Sequence, residues 1–140
     1  MDLVRQFRKA FQRKKERGWK HIYVFVDIHD TIFPSDYGEG KSFKYHVNAH
    51  KVLQMLSNRR DVVLGIYTAS HPEAIAGYLD KFQEDKILFQ LINENPLEKN
   101  TKYACFDKKP YFNVLIDDKA GFDASGDWYP ILKYLEENPV

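Results

Sequence analysis

Five consecutive β-prone apolar residues, Ile22-Tyr23-Val24-Phe25-Val26, end abruptly at Asp27. Unbroken apolarity, in place of alternation with polar residues, marks a strand buried on both faces, as in a parallel sheet. Val62-Val63-Leu64-Gly65-Ile66-Tyr67 repeats the pattern and ends at Thr68, and Phe112 to Ile116 ends at Asp117-Asp118. Ile87 to Ile92 is a further strand candidate. Helical periodicity lies between them: residues 2–17 place Leu3, Val4, Phe7, Ala10 and Phe11 on one stripe, with Gly18 as the stop. Residues 46–58 gather Val47, Ala49, His50, Leu53 and Leu56. A helix from Pro72, capped by Ser70 or His71, runs to about Phe82 with Ala74, Ile75, Tyr78, Leu79 and Phe82 inward. A last helix covers about Tyr129 to Glu136. Residues 33–42 and 93–101 read as loops from their Pro, Gly, Asn and Ser content. Strands alternating with helices predict an α/β domain with a mostly parallel sheet.

The chain of 140 residues is one domain by length. Charge divides it unevenly. Residues 1–20 carry eight Lys and Arg against Asp2 and Glu16, a net of +6, while the other 120 residues hold 13 basic and 18 acidic side chains. A basic helix over 1–20, part of the domain or appended to it, therefore precedes the body at 21–140. It reads as a surface helix packed by Leu3, Phe7 and Phe11; the alternative is that its basic face meets the phosphates of a polyanion, a nucleic acid through residues 5–20. No apolar run reaches bilayer length and none resembles a signal peptide, so the expectation is a soluble, cytoplasmic protein without membrane contact. The single cysteine, Cys105, excludes an internal disulfide, and Tyr103-Ala104-Cys105-Phe106 reads as a buried strand with an inert thiol.

Ligands of open α/β sheets bind beyond the carboxyl ends of the strands. Three strands here end in Asp27, Thr68 and Asp117-Asp118, so the fold would gather them at one edge. Two carboxylates about 4 Å apart repel by roughly 4 kcal/mol at an effective dielectric of 20. Such a group needs protons or a cation, and an all-oxygen ligand set suits a hard ion such as Mg²⁺.

These residues resemble the motifs of the haloacid dehalogenase superfamily. Val24-Phe25-Val26-Asp27-Ile28-His29-Asp30-Thr31-Ile32 is similar to its first motif, an apolar strand followed by Asp-x-Asp-x-Thr. Leu64-Gly65-Ile66-Tyr67-Thr68 resembles the second, Lys109-Pro110 the third, and Val114-Leu115-Ile116-Asp117-Asp118-Lys119-Ala120 the acidic fourth, in the family's order. The resemblance implies a three-layer α/β/α, Rossmann-like fold without a substantial cap domain, and an Mg²⁺-dependent phosphatase. Asp27 would be the nucleophile that forms an aspartyl-phosphate. Asp27, the main-chain carbonyl of His29, Asp117 and Asp118 would hold the metal. Thr68 would bind a phosphate oxygen and Lys109 would neutralise charge, with Lys108, Lys99 and Lys102 as competing lysines.

The family's phosphatases carry Asp two residues after the nucleophile, as acid and base. Here that place is His29, and Asp30 is aimed differently. Histidine suits proton transfer near neutral pH. The alternative is a catalytically weak phosphate-binding or regulatory module. Without a cap the site accepts a phosphorylated macromolecule, or a small molecule enclosed by a neighbouring subunit of an oligomer. The segment 33–43 would then act as a flap, with Phe33, Tyr37 and Phe43 as contacts.

Overall fold

The computed structural model describes residues 2–34 and 43–140. Helix α1 (Leu3–Arg17) leads into β1 (Ile22–Val26), α2 (Ala49–Asn58), β2 (Val62–Ile66), α3 (Pro72–Glu84), β3 (Leu91–Ile92), β4 (Val114–Ile116) and α4 (Trp128–Glu137), with a short 3₁₀ turn at Asp118–Ala120. The four strands form one parallel sheet in the order β3-β2-β1-β4. β1 and β2 are central and every residue of both is buried, which is why their sequences are apolar without interruption. Gly65 pairs with Phe25, and a Cβ there would stand 2.5 Å from the Phe25 ring; the glycine lets that ring lie across the neighbouring strand.

The order of the strands decides which face each connection covers. Steps from β1 to β2 to β3 run in one direction, so right-handed crossovers put α2 and α3 on the same face. The step from β3 to β4 passes back over β2 and β1, and its connection must cross the other face. Packing agrees. Val52, Leu53 and Leu56 of α2, Tyr78 and Phe82 of α3, Leu3, Phe7 and Ala10 of α1, and Ile131 and Leu135 of α4 share one core with Ile22, Val24, Val26, Leu64 and Ile66. On the opposite face Tyr23, Phe25, Val63 and Leu91 meet Tyr111, Phe112 and Leu115. The result is a Rossmann-like α/β fold in three layers, with irregular chain from residue 93 to 113 as the layer opposite the helices. No cap is present among the described residues.

The basic helix is built into the domain, since Leu3, Phe7 and Ala10 are buried. Asp2 caps its start by accepting the Arg5 N–H, and Gly18 ends it in the left-handed conformation at φ 67°. In α2 the buried stripe is Ala49, Val52, Leu53 and Leu56; Val47 precedes the helix and is exposed. His71 takes the N-cap position of α3 without a side-chain cap bond. No helix among the described residues is long and apolar enough to cross a membrane.

Several expectations need correction. The third strand pairs only at Leu91–Ile92, because Leu88 gives its N–H to the Ser57 hydroxyl and the ladder with β2 starts at Gln90 N–H to Leu64 O. Residues 103–106 are no strand, and Cys105 is exposed. The side chains of Thr101 and Asn100 accept the N–H groups of Tyr103, Ala104 and Phe106, which closes turns where apolar composition suggested a strand. Phe33 is no flap contact: it is fully buried, stacked on Phe82 at 5.6 Å. Phe43 is 38% exposed and packs edge-on against Phe33 and Tyr78, while Tyr37 lies outside the described residues.

Candidate functional site

β1 is flanked by β2 on one side and β4 on the other, both parallel to it, so the order in which strands are added to the sheet reverses sense at β1. That is the switch point where a crevice opens beyond the carboxyl ends of a parallel sheet. A cleft of about 590 Å³ lies there, lined by Asp27, His29, Asp30, Thr68, Ser70, Asn93, Lys108, Pro110, Asp117, Asp118 and Lys119, among others. Asp27 directly follows β1 and donates its N–H to Ile116 O of β4. Asp117 and Asp118 directly follow β4. One carboxylate oxygen from each of the three lies within 4.8 Å of the others.

This crowding has an electrostatic consequence. Burial pushes the Asp27 carboxyl up to about 7, helped by a hydrogen bond shared with Asp118 and by the charge of Asp117. A carboxyl held that far above its ordinary value must take up a proton or a cation to sit there at neutral pH. Three carboxylate oxygens with no nitrogen or sulfur among them fit a hard divalent ion, for which Asp27, Asp117 and Asp118 are the side chains that could act as ligands.

Thr31 organises the group. It is fully buried, and its hydroxyl stands 3.2 Å from Asp27 Oδ2 and 3.5 Å from Asp118 Oδ1 while accepting the Asp118 N–H at 3.1 Å. Its main-chain carbonyl accepts the indole N–H of Trp128 at 2.9 Å, which ties the site to α4. Thr31 belongs to the first motif, where no role was assigned to it. The signal was its spacing, four residues after Asp27, on a turn whose N–H groups fold back onto Ile28 O. Replacing Thr31 with Val should weaken divalent-ion binding by about 10- to 100-fold, as loss of a group that orients ligands does. Calorimetric titration with Mg²⁺ or Mn²⁺ measures this, and unchanged affinity would refute the role.

Thr68 lies on the opposite wall. Its N–H donates to Asn93 Oδ1 at 2.7 Å, and its hydroxyl accepts the Ser70 N–H and pairs with Ser70 Oγ at 3.0 Å. Asn93 takes the left-handed conformation at φ 55°, which turns its side chain back toward β2 and the Thr68 amide. Neither Ser70 nor Asn93 was expected at the site; only Asn at a strand end, where left-handed turns favour it, pointed there. His29 lines the cleft with Nε2 at 3.3 Å from Ser70 Oγ and 3.4 Å from Tyr78 Oη. Asp30 also lines it, from a left-handed position at φ 59°.

Lys108 and Pro110 line the cleft, and Lys109 between them, exposed as Lys108 also is, does not, nor do Lys99 and Lys102. The chain bends at 107–109, so Lys-Pro adjacency did not decide which lysine borders the cleft. Lys119, after the acidic pair, supplies a second cation.

No protein-family model and no curated protein sequence matches this chain. Among solved structures, a conserved protein encoded by a locus of Bacteroides thetaiotaomicron superposes with a TM-score of 0.65, covering 86% of this chain and 93% of that one at 19% identity. At that identity the likeness is one of fold.

Proposed function

We propose that the chain is a small, capless Mg²⁺-dependent phosphatase of the haloacid dehalogenase type, acting on phosphoric monoesters through an aspartyl-phosphate on Asp27. The convergence of Asp27, Asp117 and Asp118 within 4.8 Å, at the switch point of a parallel sheet, carries this reading. Such an acidic group repels a phosphate unless a cation is present, and Thr68, Ser70, Lys108 and Lys119 line the same cleft, hydroxyl and ammonium groups of the kind that donate to phosphate oxygens. Mg²⁺, held by Asp27, Asp117, Asp118 and the His29 carbonyl, would neutralise the carboxylates and draw in the phosphoryl group.

The protein's own share is positioning and charge. Asp27 attacks phosphorus; an O–P bond forms to its carboxylate and the ester O–P bond breaks. Thr68 donates to a phosphate oxygen, and Lys108 balances developing charge. His29 gives a proton to the leaving oxygen and later takes one from the water that releases phosphate from Asp27. A second reading has a specific support. His29 Nε2 is already within reach of two hydroxyls, Ser70 and Tyr78, an arrangement that serves a fixed ring as well as a proton shuttle. On that reading the chain binds phosphate esters with little turnover.

Phosphate release from an aryl phosphate in Mg²⁺, across pH 5–8, separates them. As an acid-base group, His29 should lose about 100- to 10,000-fold in rate on replacement by Ala. Lys108→Ala should slow the reaction while Lys109→Ala leaves it near wild type. Absence of turnover in the wild type, with Mg²⁺ binding retained, selects the second reading; absence of both refutes the proposal.

A further inference from the structure

A second cavity, of about 470 Å³, opens at the other end of β1, lined by Trp19, Lys20, His21, Tyr23, Leu97, Glu98, Tyr111 and Asn113. Tyr23 and Asp27 point from the same sheet face but stand four residues apart, ~13 Å along the strand. The cavity is therefore distinct from the acidic cleft.

Its walls are aromatic. His21 meets Tyr23 edge-on at 4.8 Å, and Tyr23 meets Tyr111 edge-on at 5.9 Å. Trp19 and Tyr111 are half-buried, leaving part of each ring open. Polar atoms sit among the rings. The Tyr23 hydroxyl donates to Glu98 Oε1 at 3.0 Å, and Asn113 Nδ2 donates to the Tyr111 hydroxyl at 3.2 Å. Glu98 Oε2 makes no hydrogen bond among the described residues, so the carboxylate keeps accepting capacity.

The cavity also lies at the end of the basic helix. Lys20 lines it, and the Arg17 guanidinium stands 5.6 Å from the Trp19 ring centroid. The last turn of α1 adds Lys14 and Lys15. Among the described residues, no Lys or Arg between positions 5 and 20 forms an ion pair with a carboxylate. Their charge is available to a polyanion.

The geometry points to this cavity as a binding site for an unstacked base of a single-stranded nucleic acid, with the flanking phosphates on Lys20, Arg17 and the end of α1. Aromatic faces beside unpaired cations are what single strands require, since any base stacks and the backbone is read by charge. A duplex hides its base faces, whereas each nucleotide of a single strand couples a planar base to a phosphate. Glu98 adds a preference: it accepts from the amino group of cytosine or adenine, whereas thymine presents a carbonyl at that position. The inference stands independently of the metal-site reading.

Binding of labelled eight-residue oligonucleotides to the full chain, followed by anisotropy at several salt concentrations, tests it. Oligo-dC or oligo-dA should bind more tightly than oligo-dT, and single strands more tightly than duplex. Trp19→Ala and Tyr111→Ala should each weaken binding on the order of tenfold with an unchanged salt slope. Lys20→Glu should reduce the slope by at least about 1. Glu98→Gln should remove the base preference. Circular dichroism checks that each variant is folded, and Trp19 is exposed enough to serve if Tyr111→Ala is not. Equal affinity for an abasic strand of the same length would overturn the proposal, as would full affinity in folded Trp19→Ala or no binding at low salt.

Discussion

Asp27→Asn is expected, with Asp27 the nucleophile of the proposed phosphatase, to lose phosphate release by on the order of 10⁴-fold or more, and yet to melt higher than the wild type when metal is removed. Both results come from one side chain. In the folded chain the Asp27 carboxyl titrates at about 7, against 3.8 for an ordinary aspartate, first because it is buried and then because Asp118 and Asp117 crowd it. The folded state therefore holds a proton on Asp27 over a range where the unfolded chain has lost it. Folding stability falls as pH rises from about 4 to about 7, and the whole loss is present above about 7. Since the carboxyl is partly open to water, the cost is ~2 kcal/mol after allowance for solvent screening, worth roughly 7 °C in a domain of this size. Asparagine carries no charge and escapes it. In EDTA at pH 8 the variant should melt several degrees above wild type, and at pH 4 the gap should close. Millimolar Mg²⁺ should raise the wild-type midpoint and the variant's much less. A variant that melts below wild type at pH 8 without metal would mean that the acidic group is not in electrostatic tension.

Trp128→Ala should be the most damaging single change away from the acidic residues. The indole is fully buried at the start of α4, edge-on to Phe122 at 4.9 Å, and its N–H satisfies the Thr31 carbonyl. Truncating a buried tryptophan costs about 3–5 kcal/mol, and the orphaned carbonyl adds to it. A fall in melting temperature of roughly 10–15 °C follows. Trp128→Phe separates the two contributions, because it keeps most of the ring and loses only the donor. It should cost about 1–3 kcal/mol and weaken Mg²⁺ binding, since Thr31 then holds Asp27 and Asp118 from a looser main chain. Wild-type metal affinity in a folded Trp128→Phe would show that α4 does not support the cleft.

Much of the architecture could be read along the chain. Ile22–Val26 and Val62–Ile66 are apolar without a break because they are the two central strands, covered on both faces. Gly18 and Pro72 marked helix ends through backbone conformation alone. Edge elements were less legible. At 87–92 alternate burial extends further than strand pairing, because only the last residues come alongside β2. At 103–106 an apolar composition was overruled by Asn100 and Thr101, whose side chains reach the backbone first.

The acidic residues of the cleft were legible for a related reason. A parallel sheet aligns the carboxyl ends of its strands, so residues that follow apolar runs become neighbours whatever the length of chain between them. Local sequence thus determined the central strands, the helices and the identity of Asp27, Thr68, Asp117 and Asp118. Only the tertiary structure decided the rest: that Lys108 and not Lys109 borders the cleft, that Thr31 and Trp128 brace the carboxylates, that Phe33 belongs to the core, and that Trp19, Tyr23 and Tyr111 enclose a second cavity. These depend on the path of irregular chain across the sheet and on contacts between residues up to 97 positions apart, where no periodicity of the backbone carries the information.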